Sequence, residues 1–401
     1  MLRNSTIPST DIPLDEDNDN GWAERGEYWR QLNVEVKQRG RKPRFLHQPL
    51  ILTGHGIKIR VDRGTLLIRN GFTHYPQELE EYRFFPRDRR LPSRIAIIDG
   101  DGGITLGALE WLSIQGVSLV QINWRGDLVN VGSGFGYGAD PDILRSQIKA
   151  QDGPFSLSFA RYLIENKIEH SITTIREIFE PSPAAELTVS KLQERLKLIR
   201  NRPPGSVAAL LNAEAIAGAA YFRCWHSKPL QWKKIAKKLI PDDWHRIGAR
   251  MTDDHSNQFA RHPVNAMLNY AYAMLESQVR TITLGMGFDP TISYLHAYEI
   301  NRVNLIFDLM EPLRPIIDRK ILEFVQDHVF SPADFTLSNM GVCKLHPQFA
   351  RIIVKLIQDL PEVKSITINN LNKLMALHPA IAKKAGRNIT VFKSRLAGRR
   401  K

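Results

Sequence analysis

Gly132, Gly134, Gly136 and Gly138 fall within seven residues, and the hydrophobic pattern of the chain changes on crossing them. Four glycines at alternate positions cannot sustain a helix or a packed strand, so they read as a linker. Before them the apolar residues alternate or form short runs. Ile57-Lys58-Ile59-Arg60-Val61 has period two, Thr65–Ile68 is a short apolar run, and Asp62-Arg63-Gly64 between them reads as a hairpin turn. Arg94–Ile98 reads as another strand, Thr105 as the N-cap of a helix to about Ile114, and Val117–Asn123 as the next strand after Gly116. After the glycines, apolar residues recur at helical spacing to about residue 359, punctuated by Pro203-Pro204-Gly205, Pro241 and Pro263. The expected fold is therefore α+β. A small β-rich domain (46–131) is joined by a Gly-rich hinge (132–140) to a larger all-helical domain (141–360).

The ends differ from this core in charge. Residues 1–20 carry five acids and one base with few apolar side chains, and the region 1–45 is expected to be a disordered acidic leader followed by a basic stretch. Residues 361–401 hold ten bases and one acid, out of a net +13 for the 401-residue chain. A surplus of this size points to a polyanionic partner, nucleic acid above all, and the tail reads as a basic appendage. Leu371, Leu374, Met375 and Leu377 suggest one short helix in it, and Ala380–Ala385 and Ile389–Leu396 further elements. No apolar run reaches the roughly 18 residues of a membrane span, and the acidic start is unlike a signal peptide. Cys224 and Cys343 are too far apart and too few for a disulfide framework. A cytoplasmic protein is expected.

Three places could carry chemistry by residue type. Asp99-Gly100-Asp101-Gly102-Gly103 lies between a strand and a helix, but Thr105 stands where a dinucleotide fingerprint needs glycine and no Gly-Lys-Ser/Thr follows, so a tight turn is expected. Cys224-x-His226 and Cys343-x-x-His346 have spacings foreign to structural zinc sites. The third place is a set of acids and a histidine. Glu214 is the only formal charge on the small, apolar helix from about Val207 to Phe222. It either faces solvent or lines a crowded interior, where it needs a cation or donor. Asp308 and Glu311, three apart on a helix that Pro312 and Pro315 must end, share a face. His296 could fold back toward Asp308; alternatively it is a core histidine, and Asp308 pairs with Arg302 or Arg314. An imidazole with two or three carboxylates suits Mn²⁺ or Mg²⁺, which stabilise charge on phosphoryl oxygens.

These residues lie in motifs that resemble a known family, the universal CRISPR-associated endonuclease/integrase of spacer acquisition. The resemblance runs from about residue 49 to 359. It is carried by Tyr221-Phe222, Pro263–Tyr272, Gly287-Phe288-Asp289-Pro290, Phe307–Pro315, Asp334-Phe335 and Gly341–Leu345. It implies that Glu214, His296 and Asp308 bind Mn²⁺ or Mg²⁺, with Glu311 as a further catalytic acid. It also implies a homodimer formed by the β-rich domain, double-stranded DNA as spacer precursor and target repeat, and a small ferredoxin-fold adaptation partner. The implied reaction joins 3′-hydroxyl ends to target DNA by transesterification. Thr291–Leu295 departs from the Gly-Phe-Leu-like approach common in the family, and both termini extend beyond its usual core. The basic tail keeps open a casposase-type transposon integrase with a C-terminal DNA-binding module. A non-catalytic DNA-bridging protein is a third reading.

Overall fold

The computed structural model describes residues 22–38, 49–75, 77–88, 90–132, 139–151, 154–226, 228–233, 240–248, 260–296, 303–338, 341–358 and 360–376. The first part comprises α1 (Trp22–Gln38), β1 (Leu50–Asp62), β2 (Thr65–Arg69), β3 (Glu81–Phe84), β4 (Arg94–Ile104), α2 (Leu106–Ile114), β5 (Ser118–Ile122) and β6 (Leu128–Gly132). The second comprises α3 (Pro141–Gln151), α4 (Pro154–Ile178), α5 (Pro183–Asn201), α6 (Val207–Trp225), β7 (Gln231–Trp232), α7 (Pro263–Gly285) and α8 (Asn304–Met310). It continues with α9 (Arg314–Asp327), β8 (Val329–Phe330), β9 (Phe335–Leu337), β10 (Cys343–Leu345), α10 (Pro347–Ile357) and α11 (Pro361–Met375).

The strands of the first part form one six-stranded sheet in the order β3-β2-β1-β4-β5-β6. The central β1/β4 and β4/β5 pairs are parallel and the outer pairs antiparallel. The β1–β2 hairpin closes through Arg63 and Gly64, both at positive φ (49° and 77°), as a primed two-residue turn requires. Thr105 caps α2, its side chain accepting from the Ala108 amide at 3.2 Å. The Asp99–Gly103 segment is not the tight turn expected. It continues β4, paired with Gly54–Lys58 of β1 through register shifts. Gly102 lies there at φ 148°, where a Cβ would collide with the Ile57 carbonyl. The glycines thus serve a bulged strand pair rather than a ligand loop.

One face of the sheet carries Leu52, Ile59, Leu66, Ile68 and Ile95 against Ala108, Trp111 and Leu112 of α2. The other, with Ile51, Ala96, Ile98, Val120 and Ile122, belongs to the same apolar cluster as Met267, Tyr270 and Met274 of α7 and Ile353 of α10. Each such side chain contributes about 1.5–3 kcal/mol on burial, so sheet and helices are packed as one unit. Gly132 ends β6, while 133–138, the rest of the expected hinge, lie outside the described residues. The second part is mainly helical, with two small strand pairs, β7/β8 and β9/β10, that an all-helical domain would lack.

Both termini depart from expectation. Residues 22–38, placed in a disordered leader, form α1, with Trp29 buried and stacked on His346 at 4.0 Å. Charged residues such as Glu24, Glu27 and Arg30 face outward and mask its apolar contact. At the other end, the expected appendage begins with α11, whose Val363, Leu371, Leu374 and Met375 are buried in the main core. The elements suggested at 380–385 and 389–396 lie outside the described residues, as does the 1–20 leader. Among the described residues, no helix is long and apolar enough to cross a membrane.

Candidate active site

Four segments of the helical part converge on the site. Ser206 caps α6 by accepting from the Ala209 amide at 3.2 Å, and the small residues that follow bring α6 close to α4 and α5. Glu214 projects from α6. Lys167 comes from α4, where Leu163, Ile164, Ile168 and Ser171 mark the buried stripe to which it belongs. Its ammonium lies 2.5 Å from Glu214 Oε1 and 2.5 Å from Glu311 Oε2. Glu311 is the C-cap of α8, and its other oxygen, Oε1, accepts from Arg314 Nε at 3.0 Å. The Arg314 guanidinium lies over the Tyr272 ring, 4.9 Å from its centre.

This packing sets the charge states. Burial alone would raise the Glu311 pKa, but the Lys167 and Arg314 cations outweigh it and hold it at about 2. Burial works against the Lys167 ammonium too, and the two carboxylates overcome it, moving its pKa above the usual lysine value. Both partners are therefore charged at neutral pH. A cavity beneath the pair is bordered by Tyr221, Phe222, Tyr272 and Asp318. Both tyrosine hydroxyls donate to the Asp318 carboxylate, tying α6 and α7 to α9 behind the site.

Asp308 has a different environment. It is fully buried, and its oxygens accept from four donors. Oδ2 takes the amides of Tyr294 (2.7 Å) and Leu295 (3.0 Å). Oδ1 takes the amide of His296 (3.1 Å) and the ring Nδ1 of His296 (2.7 Å). The segment that departs from the family pattern thus wraps its backbone around a carboxylate. With Nδ1–H donating to Asp308, the neutral imidazole leaves Nε2 as its basic nitrogen. Burial lowers the His296 pKa, but the hydrogen bond and charge of Asp308, with Glu311 nearby, raise it above the ordinary value.

All four sequence candidates are thus in one region, in two groups: Glu214 with Glu311, and His296 with Asp308. Asp308 and Glu311 stay three apart on a helical backbone, Glu311 itself being αR, but their carboxylates are engaged differently, Asp308 by the 294–296 amides and Glu311 by Lys167 of α4. Asp308 pairs with His296, and it is Glu311 that Arg314 holds. Lys167 was missed. Its signal is a lysine where the apolar stripe of α4 calls for an aliphatic side chain. Among the described residues, no three Asp, Glu, His or Cys side chains form a ready-made metal cluster; Lys167 stands between the two glutamates instead. Cys224 and Cys343 are buried and not joined in a disulfide, and His346 caps α10.

Comparison with known proteins follows the same residues. The family model described as CRISPR associated protein Cas1 matches residues 50–359. A CRISPR-associated endonuclease Cas1 of Archaeoglobus fulgidus is 23% identical over 76% of this chain and 86% of its own length. One from Korarchaeum cryptofilum is 36% identical, over 27% of this chain and 30% of its own. Among solved structures, a casposase bound to integration product superposes with TM-score 0.63 at 24% identity, covering 81% of this chain and 83% of that one. That likeness establishes a shared fold.

Proposed function

From the premise that the chain belongs to the Cas1 family, we propose that it is a metal-dependent DNA endonuclease/integrase that joins 3′-hydroxyl ends of short duplexes to target DNA. The observation that carries this reading is the Lys167 ammonium held 2.5 Å from both Glu214 and Glu311, two carboxylates from separate elements, with His296 near enough to Glu311 to feel its charge. The donor set fits Mn²⁺ or Mg²⁺ in kind: two carboxylates that already share a cation, and an imidazole whose Nδ1 is taken by Asp308, leaving Nε2 as its basic nitrogen. Asp308, with all its acceptor directions used by 294–296, orients His296 rather than ligating. This amends the ligand set of Glu214, His296 and Asp308 that the family resemblance implied. Glu311 takes the third place.

When bound, the metal supplies Lewis acidity at a phosphoryl oxygen and favours deprotonation of an attacking hydroxyl or water. The protein's residues perform the rest. The Asp308 carboxylate holds the His296 ring in one tautomer, and Arg314 fixes the Glu311 carboxylate against the Tyr272 ring. Asp318 and its tyrosines keep α6 and α9 in place, so that Glu214 stays opposite Glu311. Dispersed Lys and Arg would neutralise the DNA backbone, in line with the net +13.

We also place the homodimer contact on the β-rich part. Leu106 (83% exposed), Leu109 and Ile114 (71% exposed) lie on α2, whose other face is already buried on the sheet. A helix apolar on both sides needs a second cover. A Cas2-type partner and a CRISPR repeat as target follow from the family. That reading is preferred to a transposon integrase, because the casposase likeness is one of fold whereas the curated relatives are CRISPR-associated endonucleases.

The test is an integration assay with full-length protein, Mn²⁺, a short duplex and a supercoiled plasmid bearing a CRISPR repeat. Joined product that disappears when the duplex carries 3′-dideoxy ends is expected. Product that persists with blocked ends would exclude transesterification by the 3′ hydroxyl.

A further inference from the structure

Lys167 closes the site with the protein's own charge. Its ammonium is equally distant, 2.5 Å, from one oxygen of Glu214 and one of Glu311. A cation ligated by both carboxylates must lie in that same space. Glu311 has no oxygen to spare while Lys167 stays, because Oε1 is held by Arg314 and Oε2 by the ammonium. One of the two cations has to yield.

Arg314 is the poorer candidate. It sits at the start of α9, directly beyond the α8 terminus, with its guanidinium over Tyr272 and its Nε on Glu311. A planar fork held by stacking and hydrogen bonding gives up its geometry reluctantly. Lys167 is a point charge on a flexible four-carbon stem with 19% of its side chain exposed, so the ammonium can swing aside without disturbing helix α4. Nor can the position simply stand vacant. Two carboxylates facing each other at low exposure repel, and a cation between them offsets that repulsion.

We infer that Lys167 is an internal counter-ion that occupies the metal position in the metal-free protein and leaves it when a divalent cation binds. The inference rests on the metal reading above. Binding is then an exchange of one charge for two, so Lys167 weakens metal affinity while stabilising the metal-free fold. It acts on the metal site through Glu214 and Glu311, as a positioning residue.

The experiment is Mn²⁺ titration by calorimetry, with melting curves, on full-length wild type, Lys167→Met and Lys167→Arg. Methionine keeps length and removes charge; arginine keeps charge in a form harder to displace. Lys167→Met should bind Mn²⁺ at least tenfold more tightly than wild type, with a lower Tm without metal and a larger rise on adding it. Lys167→Arg should bind several-fold more weakly while keeping its metal-free Tm. General damage cannot produce opposite signs in the two variants. If Lys167→Met binds Mn²⁺ as wild type does, or more weakly, the exchange is refuted and the metal site stands. Should Lys167→Met fail to fold, Lys167→Arg decides alone: affinity equal to or tighter than wild type refutes the exchange. If folded wild type and both variants bind no Mn²⁺, the metal reading itself fails, and the exchange with it.

Discussion

Two clusters of cation and carboxylate in this molecule are built differently. Where α1 meets the helical part, Arg25 donates from both Nε and Nη2 to Asp334, with Nε to Oδ1 at 2.6 Å. Trp29 Nε1 adds a bond to Oδ1 at 3.0 Å and the Ser331 amide one to Oδ2 at 2.8 Å. One fork meets one carboxylate, and every acceptor direction is used. At the candidate site, one ammonium is shared by two carboxylates through a single oxygen each, and Glu214 remains 19% exposed. The first arrangement is over-determined and has no room for a ligand. In the second, a single displaceable charge joins the two carboxylates, and Arg314 holds only Glu311. A buried ion pair alone therefore says little about function; how many contacts must break before a ligand can enter says more.

The largest expected effect is on chemistry. His296→Ala should reduce strand joining by on the order of 10³-fold or more, since metal-assisted stabilisation is worth several kcal/mol and each 1.36 kcal/mol is tenfold in rate. Its Tm should stay close to wild type, because the ring is 37% exposed. Integration yield and melting curves on one preparation check both halves. Unchanged turnover in folded His296→Ala would remove the imidazole from the site.

Arg25→Ala should do the reverse. Leaving Asp334 buried without its cation costs about 3–5 kcal/mol, read as a lower midpoint in denaturant, with turnover per folded molecule unchanged. Arg25→Lys should recover only part of the loss, because an ammonium cannot reproduce the two-nitrogen fork. A loss of turnover in folded Arg25→Ala would break the distinction between the two clusters. Between these extremes falls Asp308→Asn. It leaves Nε2 of His296 in place but removes the carboxylate that orients the ring, so Mn²⁺ affinity should fall about 10–100-fold.

How much of this could be read beforehand depends on whether the cause is local. The Arg63-Gly64 turn, the Thr105 cap and the start of α6 are set by residues within a few positions, and all were legible. The return of His296 onto Asp308 was legible as a possibility, because the proline-ended helix brings the chain back. The division of labour between Asp308 and Glu311 was not. Their i, i+3 spacing says nothing of partners: backbone amides from 294–296 claim Asp308, and Lys167 claims Glu311, each through a tertiary contact. Lys167 and α1 were hidden for a related reason. A lysine in an apolar stripe, or one Trp among charged neighbours, takes its meaning from partners 47 to 305 residues away in the chain.

The smallest effect separates the clusters by pH. His328 stands beside Arg25, its Nε2 3.4 Å from Nη2, its Nδ1 3.1 Å from the Tyr28 hydroxyl and its ring stacked on Phe324. Burial, with Arg25 adding to it, holds its pKa well below 6.5. A depressed histidine contributes stability that is complete above the unfolded value, about 6.5, and is lost as pH falls toward the folded one. His296 has the opposite sign. Its raised pKa means that protonation stabilises the metal-free site below the unfolded value, and that this gain is lost as pH rises through the folded one. Acid should therefore lower the metal-free Tm through His328 but not through His296, while weakening Mn²⁺ binding through His296, because proton and metal compete for Nε2. That loss of affinity should begin above pH 6.5 and approach tenfold per pH unit below the His296 pKa. Melting curves from pH 8 to pH 5 should show a flatter acid slope in His328→Gln and an unaltered or steeper one in His296→Ala. Equal flattening in both variants would mean that the two histidines share one kind of environment, and the contrast between the clusters would not hold.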